Sequence, residues 1–417
     1  MLKILHFADA HIDINRFGRH DPESGLPLRV LDFLKALDTI VDTAITEKVD
    51  LVLFGGDAYR DRAPTPTFQR EWGKRMMRLS QARIPTLLVV GNHDLSPAAG
   101  RAHALQEYET LQVPYIHIIS QPELLSPQQL WGLPLQVIGL PWVTRSGLMA
   151  SLPANDNGVI DITTELESRL VQLLHNFLDQ LNPDLPAILA AHASVQGAMY
   201  GSERSVMLGK DVILPGSLVR DPRLDYVALG HIHKAQELNP DGQPKIVYPG
   251  SIERVDFGEA GDDKRFVIAH IEKGHTRVEW RKLVGRKFFD RKLELTDSEN
   301  IQQKLEAALP SPAEMTDAIG RLIVTYPREW EAFIDEPALR RYARATFEFH
   351  FIRRPQLKIG AKVPEGETLL GKTAPEQLDF YWKNLGLSEP EIKELKPLAA
   401  EIMAAAQSGI AYESESE

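Results

Sequence analysis

The sequence predicts an α/β fold in which helices cover a largely buried sheet. Apolar residues recur at three- and four-residue spacing over 28–47, and a second helical pattern covers 66–80, as expected of amphipathic helices. Short apolar runs precede and follow these helices. Strands that alternate with helices form sheets covered on both faces, and ligands bind beyond the carboxyl ends of such strands.

Five short apolar runs end in side chains that can bind a metal ion. The runs and the side chains that follow them are 2–8 with Asp9 and His11, 50–54 with Asp57, 87–90 with Asn92, His93 and Asp94, 187–191 with His192, and 226–229 with His231 and His233. One aspartate or histidine at a strand end usually caps a turn or a helix. Five such ends are hard to explain by capping alone, so we expect these side chains to converge on one site.

Composition limits the kind of protein and the kind of site. The chain has 417 residues, no cysteine and a formal net charge of −11, which predicts two or three domains and a metal held by oxygen and nitrogen. The apolar run at the amino terminus is too short for a signal peptide, and no run approaches the roughly 20 apolar residues of a membrane span. We therefore expect a cytoplasmic protein without a membrane segment. The negative charge argues mildly against indiscriminate binding of nucleic acid.

The oxygen and imidazole donors suit divalent cations, with Mn²⁺ as the main expectation and Mg²⁺, Fe²⁺ or Zn²⁺ as alternatives. Two such ions about 3.5 to 4 Å apart can activate a water and bind a phosphoryl oxygen, which is the two-metal route to phosphoester hydrolysis. A carboxylate must bridge the two ions. We assign the bridge to Asp57, which lies in the middle of the motif series and follows two glycines.

The ordered motifs resemble those of the calcineurin-like metallophosphoesterases: D-x-H at 9–11, G-D at 56–57, G-N-H-D at 91–94, a lone histidine at 192 and G-H-x-H at 230–233. The resemblance implies a sandwich of two β-sheets flanked by helices. It also implies two sets of metal ligands that share one carboxylate. The sets are Asp9, His11, Asp57 and His233 for one ion, and Asp57, Asn92, His192 and His231 for the other.

Three further residues are implied in catalysis. His93 would act as a general acid toward the leaving oxygen, and Asp94 would orient His93 or a neighbouring turn. Some members of the family carry a histidine three residues after the bridging aspartate, where this sequence has Arg60. An arginine can contact a phosphate, so Arg60 is a candidate catalytic residue, and the balance of exonuclease and endonuclease activity stays open.

Details of the motifs distinguish branches of the family. Protein phosphatases carry G-D-x-x-D-R-G and G-N-H-E, whereas this sequence has GDAYRDRAP and ends its second motif in Asp94. The segments HASVQG, DYVALGHIHKAQ and YPGSIERVDFGE resemble instead the SbcD-type nuclease subunits of DNA repair. The candidate substrate-binding residues are Arg62, Ser251 and Arg254. The alternative for the last two is a structural role in an edge strand and turn that pack over the site.

The sequence pattern changes after residue 280, which ends the predicted nuclease domain (1–280). The basic segment RKLVGRKFFDRK at 281–292 is either a contact to the DNA backbone or a strand with a solvated charged face. Residues 281–354 resemble the capping domain of the SbcD-type nucleases. A Pro- and Gly-containing linker is predicted at 355–372.

The carboxyl-terminal part predicts two amphipathic helices within 373–410. Thr373 and Ser388 each begin a capping box, Gly386 ends the first helix, and Pro397 is expected to kink or divide the second. Two short helices are not stable by themselves in water, so they must pack their apolar faces against another surface. The alternatives are the chain's own body and, as the resemblance implies, the coiled coil of an SbcC-type ATPase. The acidic residues 411–417 are expected to be disordered.

We therefore expect a two-metal nuclease that acts on DNA ends, works with an SbcC-type ATPase and forms a homodimer as the family does. The first alternative is a metallophosphoesterase that acts on small nucleotides or cyclic phosphodiesters. The second is a weakly catalytic scaffold that binds DNA ends and whose metals are structural. The appended capping and tail regions argue against the first alternative, since a small-molecule esterase has no evident need for them.

Overall fold

The computed structural model describes residues 1–14, 19–95, 101–143, 162–201, 213–356, 373–384 and 387–407. The chain divides into two compact units. The first comprises Met1–Arg291, Pro310–Arg321 and Tyr342–His350, and the second comprises Lys292–Leu309, Leu322–Arg341 and Phe351–Glu417. These units do not follow the boundary at residue 280, so the division into functional domains stays a prediction. Among the described residues no helix is long and apolar enough to cross a membrane.

Strands and helices alternate through the first part of the chain. The strands are β1 (Leu2–Phe7), β2 (Leu51–Phe54), β3 (Thr86–Val89), β4 (Ile116–Ile119), β5 (Glu123–Leu125), β6 (Gln136–Leu140), β7 (Ala187–His192), β8 (Ser194–Val195), β9 (Ile213–Leu214), β10 (Tyr226–Gly230), β11 (Gln236–Glu237), β12 (Lys245–Tyr248), β13 (Arg265–Glu272), β14 (His275–Lys282), β15 (Phe288–Glu294), β16 (Ile319–Pro327) and β17 (Glu348–Gln356). The helices are α1 (Leu28–Thr46), α2 (Pro66–Gln81), α3 (Gln106–Thr110), α4 (Ile162–Asp179), α5 (Gly216–Val219), α6 (Ile301–Ala307), α7 (Glu336–Tyr342), α8 (Ala374–Asn384) and α9 (Glu389–Gln407).

Two six-stranded sheets form the centre of the first unit. Their strand orders are β14-β13-β1-β2-β3-β4 and β11-β12-β10-β7-β6-β5. The neighbours β1, β2, β3 and β4 are parallel, as are β6, β7, β10 and β12. Parallel strands place their carboxyl ends at one edge, where loops carry functional residues. The predicted α/β class and the sandwich of two sheets flanked by helices are confirmed.

Alternation of side chains along the strands explains why the strands are apolar on both faces. In β2, Leu51 and Leu53 pack into a core that also contains Ile188 and Tyr226 of the second sheet, whereas Val52 packs in a different core with residues of α1 and α2. A third core lies between the second sheet and α4. Because successive residues of a strand point to opposite faces, the arrangement is helices, sheet, sheet, helices.

The carboxyl-terminal edges of the two sheets approach each other closely at two glycines. A Cβ atom added to Gly230 would lie 2.1 Å from the carbonyl oxygen of Gly55, and one added to Gly55 would lie 3.0 Å from the Cβ of Ala8. Ala8 also forms a parallel bridge with Ser251. Only residues without a side chain allow this approach, so the glycines bring the loops of both sheets to one place.

Two arginines of the basic segment at 281–292 pair with carboxylates of the first unit. Arg281 forms ion pairs with Glu47 and Glu279, and the guanidinium of Arg286 donates two hydrogen bonds to Asp32. The two phenylalanines of this segment begin β15 and are buried. Of the two alternatives for this segment, these contacts favour the strand with a charged face.

The second unit contains α8 and α9, which begin at the predicted capping boxes. The Thr373 hydroxyl donates to Glu376 at 2.8 Å, and the Ser388 hydroxyl donates to Glu391 at 2.6 Å. Pro397 lies inside α9, which runs unbroken from Glu389 to Gln407, so the proline does not divide this helix, and the kink, the other expected effect, stays a prediction. Most of the predicted linker (357–372), the predicted helix stop Gly386 and the predicted tail (411–417) lie outside the described residues.

Candidate metal centre

The loops after five strands deliver the predicted metal ligands to one site in the first unit. The strands come from both sheets, and the ligands that follow them are Asp9 and His11 after β1, Asp57 after β2, Asn92 after β3, His192 at the end of β7, and His231 and His233 after β10. Described residues of this site form two overlapping groups whose donor atoms lie within 4.8 Å of one another: Asp9, His11 and His233, and Asp9, Asp57 and His192.

Asp57 lies between the two predicted sets of ligands. Its Oδ2 is 3.8 Å from Nε2 of His11 and 3.5 Å from Nε2 of His192. Its other oxygen, Oδ1, accepts a hydrogen bond of 2.8 Å from the backbone N–H of His93. The bond to Oδ1 fixes the orientation of the carboxylate. Oδ2 is thereby placed between imidazole nitrogens of the two predicted sets, where it could bind an ion on each side.

Two imidazole nitrogens face each other in the first set. His11 and His233 bring their Nε2 atoms to 3.1 Å. The Nδ1 atom of His11 lies 3.1 Å from the carbonyl of Tyr59, and that of His233 lies 2.8 Å from a carboxylate oxygen of Glu259. Because these oxygens accept, both Nδ1 atoms carry hydrogen and the neutral rings present lone pairs at Nε2. Two lone pairs at this distance repel unless a cation or a proton lies between them.

The second set repeats this pattern. His192 donates from Nδ1 to the carbonyl of Gly55 at 2.6 Å, and its Nε2 lies 2.9 Å from the amide oxygen of Asn92. His231 places Nδ1 3.0 Å from the same oxygen. The indole ring of Trp142 packs against His231, with 4.7 Å between the ring centroids. In the neutral His192 ring the bond from Nδ1 leaves the lone pair on Nε2, so two acceptor atoms again face each other, as expected at a metal site with oxygen and imidazole ligands.

The electrostatic surroundings of the buried groups shift their pKa values in a way that also favours bound cations. Burial raises the pKa of Asp9 to about 6, against the opposing charge of His233. Burial would lower the pKa of His192, but the Asp57 carboxylate outweighs it and raises that pKa to about 9. The same attraction holds the pKa of Asp57 below its usual range in spite of burial. The cluster therefore recruits positive charge, and divalent cations supply it when they displace the imidazole protons. The donor set fits such cations.

Four of the predicted ligands have left-handed backbone conformations. The φ angles are +50° at Asp9, +41° at His11, +62° at Asp57 and +96° at His231. Such angles are uncommon for residues other than glycine and cost on the order of 1–3 kcal/mol each. Strain of this kind persists where the surroundings hold a functional arrangement, and here it aims side chains from the strand ends into one volume.

Two glycines make room for the ligands. A Cβ added to Gly56 would lie 2.3 Å from Nδ1 of His192, and one added to Gly91 would lie 2.2 Å from Oδ1 of Asp57. Gly56 also has a φ of +102°. Any side chain at either position would displace a predicted ligand.

Comparison with known proteins agrees with the geometry of this centre. The sequence profile of the calcineurin-like phosphoesterases matches residues 2–235, which include all seven predicted metal ligands. The chain belongs to the calcineurin-like phosphoesterase family.

Similar curated proteins include a DNA repair protein, a component of a nuclease and an uncharacterized metallophosphoesterase. The DNA double-strand break repair protein Mre11 of Archaeoglobus fulgidus is 25% identical over 83% of this chain and 74% of that protein. The SbcD component of the nuclease SbcCD of Escherichia coli K12 is 24% identical over 66% of this chain and 66% of its own length. The uncharacterized metallophosphoesterase YhaO of Bacillus subtilis 168 is 25% identical over 72% of this chain and 65% of its own length. In the last two cases the chain spans slightly less than two thirds of the relative.

The catalytic candidates of this phosphoesterase differ in their surroundings. His93 is partly exposed beside the ligands, with its ring 5.2 Å from that of His11. Asp94 is fully buried and accepts hydrogen bonds from the backbone N–H groups of Asp57, Ala58 and Gly91. Of the two roles expected for Asp94, this geometry gives it the second, holding the neighbouring turn. Asp94 is therefore better described as a positioning residue than as a catalytic one.

Arg60 contributes to the site through its backbone. Its carbonyl oxygen lies 2.8 Å from Nδ1 of His93, while its side chain and that of Arg62 are exposed. We still propose that the exposed side chains of Arg60 and Arg62 contact a phosphate of the substrate.

The contacts of Ser251 and Arg254 favour the structural alternative over a role in binding substrate. Ser251 is fully buried, donates from its hydroxyl to Glu259 at 3.1 Å and accepts from Lys264 at 2.7 Å. The guanidinium of Arg254 donates to the backbone carbonyls of Arg286 and Asp262. Both side chains therefore hold loops of the first unit together, which is the structural alternative considered for them.

The sequence interpretation missed Glu259 and Lys264, which lie behind His233. Their side chains form an ion pair of 2.6 Å and are each only 1% exposed. Glu259 also accepts from Nδ1 of His233, an arrangement that fixes the ring and its tautomer in metal sites. Neither residue follows a strand end, and the segment between them is polar and partly exposed, so no sequence pattern marked this pair.

Proposed function

We propose that this phosphoesterase is a two-metal nuclease that hydrolyses phosphodiester bonds in DNA. The observation that carries the proposal is the convergence of buried carboxylate and imidazole donors around Asp57, whose Oδ2 lies 3.8 Å from Nε2 of His11 and 3.5 Å from Nε2 of His192. The matches to relatives named as the repair protein Mre11 and as part of the nuclease SbcCD support DNA as the substrate. The partly exposed His93 beside the donor sets supports a reaction centre rather than a structural metal site.

The residues proposed to hold the ions are Asp9, His11, Asp57 and His233 on one side and Asp57, Asn92, His192 and His231 on the other. We propose Mn²⁺ as the ion. Two bound divalent cations would activate a water and neutralise the charge of the phosphate. Within the protein, Asp94 holds the turn that carries Asp57, and the hydrogen bonds to Nδ1 of His11, His192 and His233 orient those rings.

His93 is proposed to protonate the leaving oxygen. Its Nδ1–H donates to the carbonyl of Arg60, so the proton that the ring exchanges is the one on Nε2. The acid form is the imidazolium, in which both ring nitrogens carry hydrogen. In hydrolysis, the oxygen of water forms a bond to phosphorus and releases one proton to solvent, the ester P–O bond breaks, and the leaving oxygen takes the proton from Nε2, which leaves the neutral ring with hydrogen on Nδ1. A proton from solvent then restores the ring. A well-placed general acid contributes roughly 10²- to 10⁴-fold to a rate.

The purified protein should degrade linear DNA in the presence of Mn²⁺. His93→Ala should lower the cleavage rate by roughly 10²- to 10⁴-fold while the content of bound metal stays that of the wild type. The control is His275→Ala, because His275 is an exposed residue of β14. If His93→Ala cleaves DNA at the wild-type rate, the role given to His93 is wrong.

The same preparation separates the alternatives. Hydrolysis of bis-p-nitrophenyl phosphate without cleavage of any DNA, with or without a partner protein, would favour a phosphoesterase for small nucleotides or cyclic phosphodiesters. Binding of metal without cleavage of either substrate would favour the DNA-end-binding scaffold. The nuclease proposal requires DNA cleavage that depends on metal.

We also propose that α8 and α9 bind an SbcC-type ATPase and that the nuclease works as a homodimer. Tyr381, Leu398 and Ile402 of these helices are 48%, 56% and 60% exposed, and exposed apolar side chains on one helix pair are typical of a docking surface. A pull-down with a co-expressed SbcC-type ATPase should retain the full chain and lose a chain that ends at residue 364. Equal retention of both chains would refute this assignment.

A further inference from the structure

The peptide group between Arg60 and Asp61 has hydrogen bonds on both sides. Its carbonyl oxygen accepts from Nδ1 of His93 at 2.8 Å. Its N–H, which belongs to Asp61, donates to Oδ2 of Asp13 at 2.8 Å. A carboxylate, a peptide group and an imidazole therefore form one continuous chain of hydrogen bonds, and hydrogen bonds in such chains polarise and strengthen one another.

Asp13 is held firmly at the other end of this chain. Its second carboxylate oxygen accepts a hydrogen bond from the backbone N–H of Arg60. Asp13 as a whole is only 8% exposed. The segment before Asp13 runs beside the segment before Arg60. Backbone hydrogen bonds join them from Asp9 to Gly56 at 2.9 Å and from Ile12 to Ala58 at 3.1 Å. Both oxygens of Asp13 are thus used to fix the peptide that contacts His93.

We propose that Asp13 is a positioning residue for His93 and acts through the Arg60–Asp61 peptide group. This inference rests on the proposed nuclease function. By fixing the Arg60 carbonyl, Asp13 sets the orientation of the His93 ring and keeps hydrogen on Nδ1. The ring then presents Nε2, and no other nitrogen, to the leaving oxygen. Arg60, which stands where some members of the family have a histidine, takes part in this arrangement through its backbone.

The leaving group separates this role from a general role in loop structure. When a phosphodiester bond of DNA breaks, the leaving alkoxide needs a proton, whereas p-nitrophenolate leaves as a stable anion. Loss of a correctly oriented His93 should therefore slow DNA cleavage and spare hydrolysis of thymidine 5′-(p-nitrophenyl phosphate). Damage to the metal centre or to the fold would slow both reactions.

The first test compares Asp13→Asn with the wild type on the two substrates. The asparagine keeps the size of the side chain but places an NH₂ group against a backbone N–H, so one hydrogen bond is lost. We expect kcat for DNA to fall about ten- to hundred-fold, by analogy with the range found when the hydrogen-bond partner of a metal-binding histidine is removed. Hydrolysis of the p-nitrophenyl ester should stay near the wild-type rate, and His93→Ala should show the same pattern with a larger loss.

The matched control is Asp225→Asn. Asp225 is also buried and also accepts from two backbone N–H groups, those of Ala187 and Gly274, but it precedes β10, at the opposite end of that strand from His231 and His233. In this variant, the ratio of the rate of DNA cleavage to the rate of hydrolysis of the p-nitrophenyl ester should equal that of the wild type. Asp13→Ala provides a second variant in case Asp13→Asn folds poorly, and hydrolysis of the p-nitrophenyl ester reports folding in each case.

A spectroscopic test does not depend on activity. In protein with ¹⁵N-labelled histidine, the neutral His93 ring, assigned with His93→Ala, should show hydrogen on Nδ1 in the wild type and a mixture of tautomers in Asp13→Asn. An equal fall of both activities, no fall in either, or an unchanged tautomer would overturn the role of Asp13. Absence of DNA cleavage by the wild type would instead overturn the nuclease proposal, and the tautomer of His93 would still test the role of Asp13.

Discussion

Asp57→Asn is expected to abolish DNA cleavage and to reduce tight binding of Mn²⁺ from two ions per chain to at most one. Oδ2 of Asp57 lies within 3.8 Å of Nε2 atoms from both predicted sets, and an amide nitrogen at that position cannot serve as a ligand. The asparagine retains an oxygen that can accept from the backbone of His93, so the turn should keep its shape. Metal analysis after dialysis measures the number of ions.

Thermal or chemical unfolding provides a second measurement for Asp57→Asn. A ligand that binds only the folded state stabilises it by about 2.7 kcal/mol at a concentration of 100 times Kd. The wild type should gain this amount per site on addition of Mn²⁺, and Asp57→Asn should lose most of the gain. Asp263→Asn is the control, because it removes an exposed carboxylate that pairs with Lys282. Two tightly bound ions in Asp57→Asn would contradict the bridging role.

Lys264→Met should destabilise the metal-free protein by about 3–5 kcal/mol, the cost of leaving one charge of a buried pair without its partner. The carboxylate of Glu259 would stay buried and lose the ammonium that lies 2.6 Å away. Burial opposes ionisation of Glu259, and Lys264 is the main group that holds the pKa of Glu259 below its usual range. Urea unfolding at neutral pH measures the change.

Two further variants show whether the effect of Lys264→Met comes from the unpaired charge. Lys282→Met removes an exposed ammonium from its pair with Asp263, and exposed pairs contribute little. The double variant Glu259→Gln with Lys264→Met removes both buried charges and should recover most of the lost stability. If Lys282→Met and Lys264→Met cost the same, the buried pair does not have the importance given to it here.

The part of the site that sequence could predict is the part attached directly to strand ends. Asp9, Asp57 and Asn92 follow apolar runs, and the carboxyl ends of parallel strands lie at one edge of a sheet, so their approach follows from local pattern. The structure brings these side chains together with His192 from the second sheet. The two-sheet arrangement itself was implied by resemblance to the family and not by the spacing of the apolar residues.

The supporting residues could not be predicted because they act across loops. Asp13 and Glu259 contact backbone groups or rings that lie far along the chain, and no periodicity marks such contacts. The same limitation left two alternatives open for Ser251 and Arg254, since a motif beside the site does not show which way its side chains point. Pro397 was expected to kink or divide α9, and the sequence alone does not choose between these two effects of a proline inside a helix.

The most direct measurement of the metal centre is anomalous diffraction from crystals of the wild-type protein grown with Mn²⁺. We expect two anomalous peaks about 3.5 to 4 Å apart, one on each side of Oδ2 of Asp57, the first contacted by Asp9, His11 and His233 and the second by Asn92, His192 and His231. A single peak, or peaks away from Asp57, would contradict the two-metal centre on which the proposed nuclease depends.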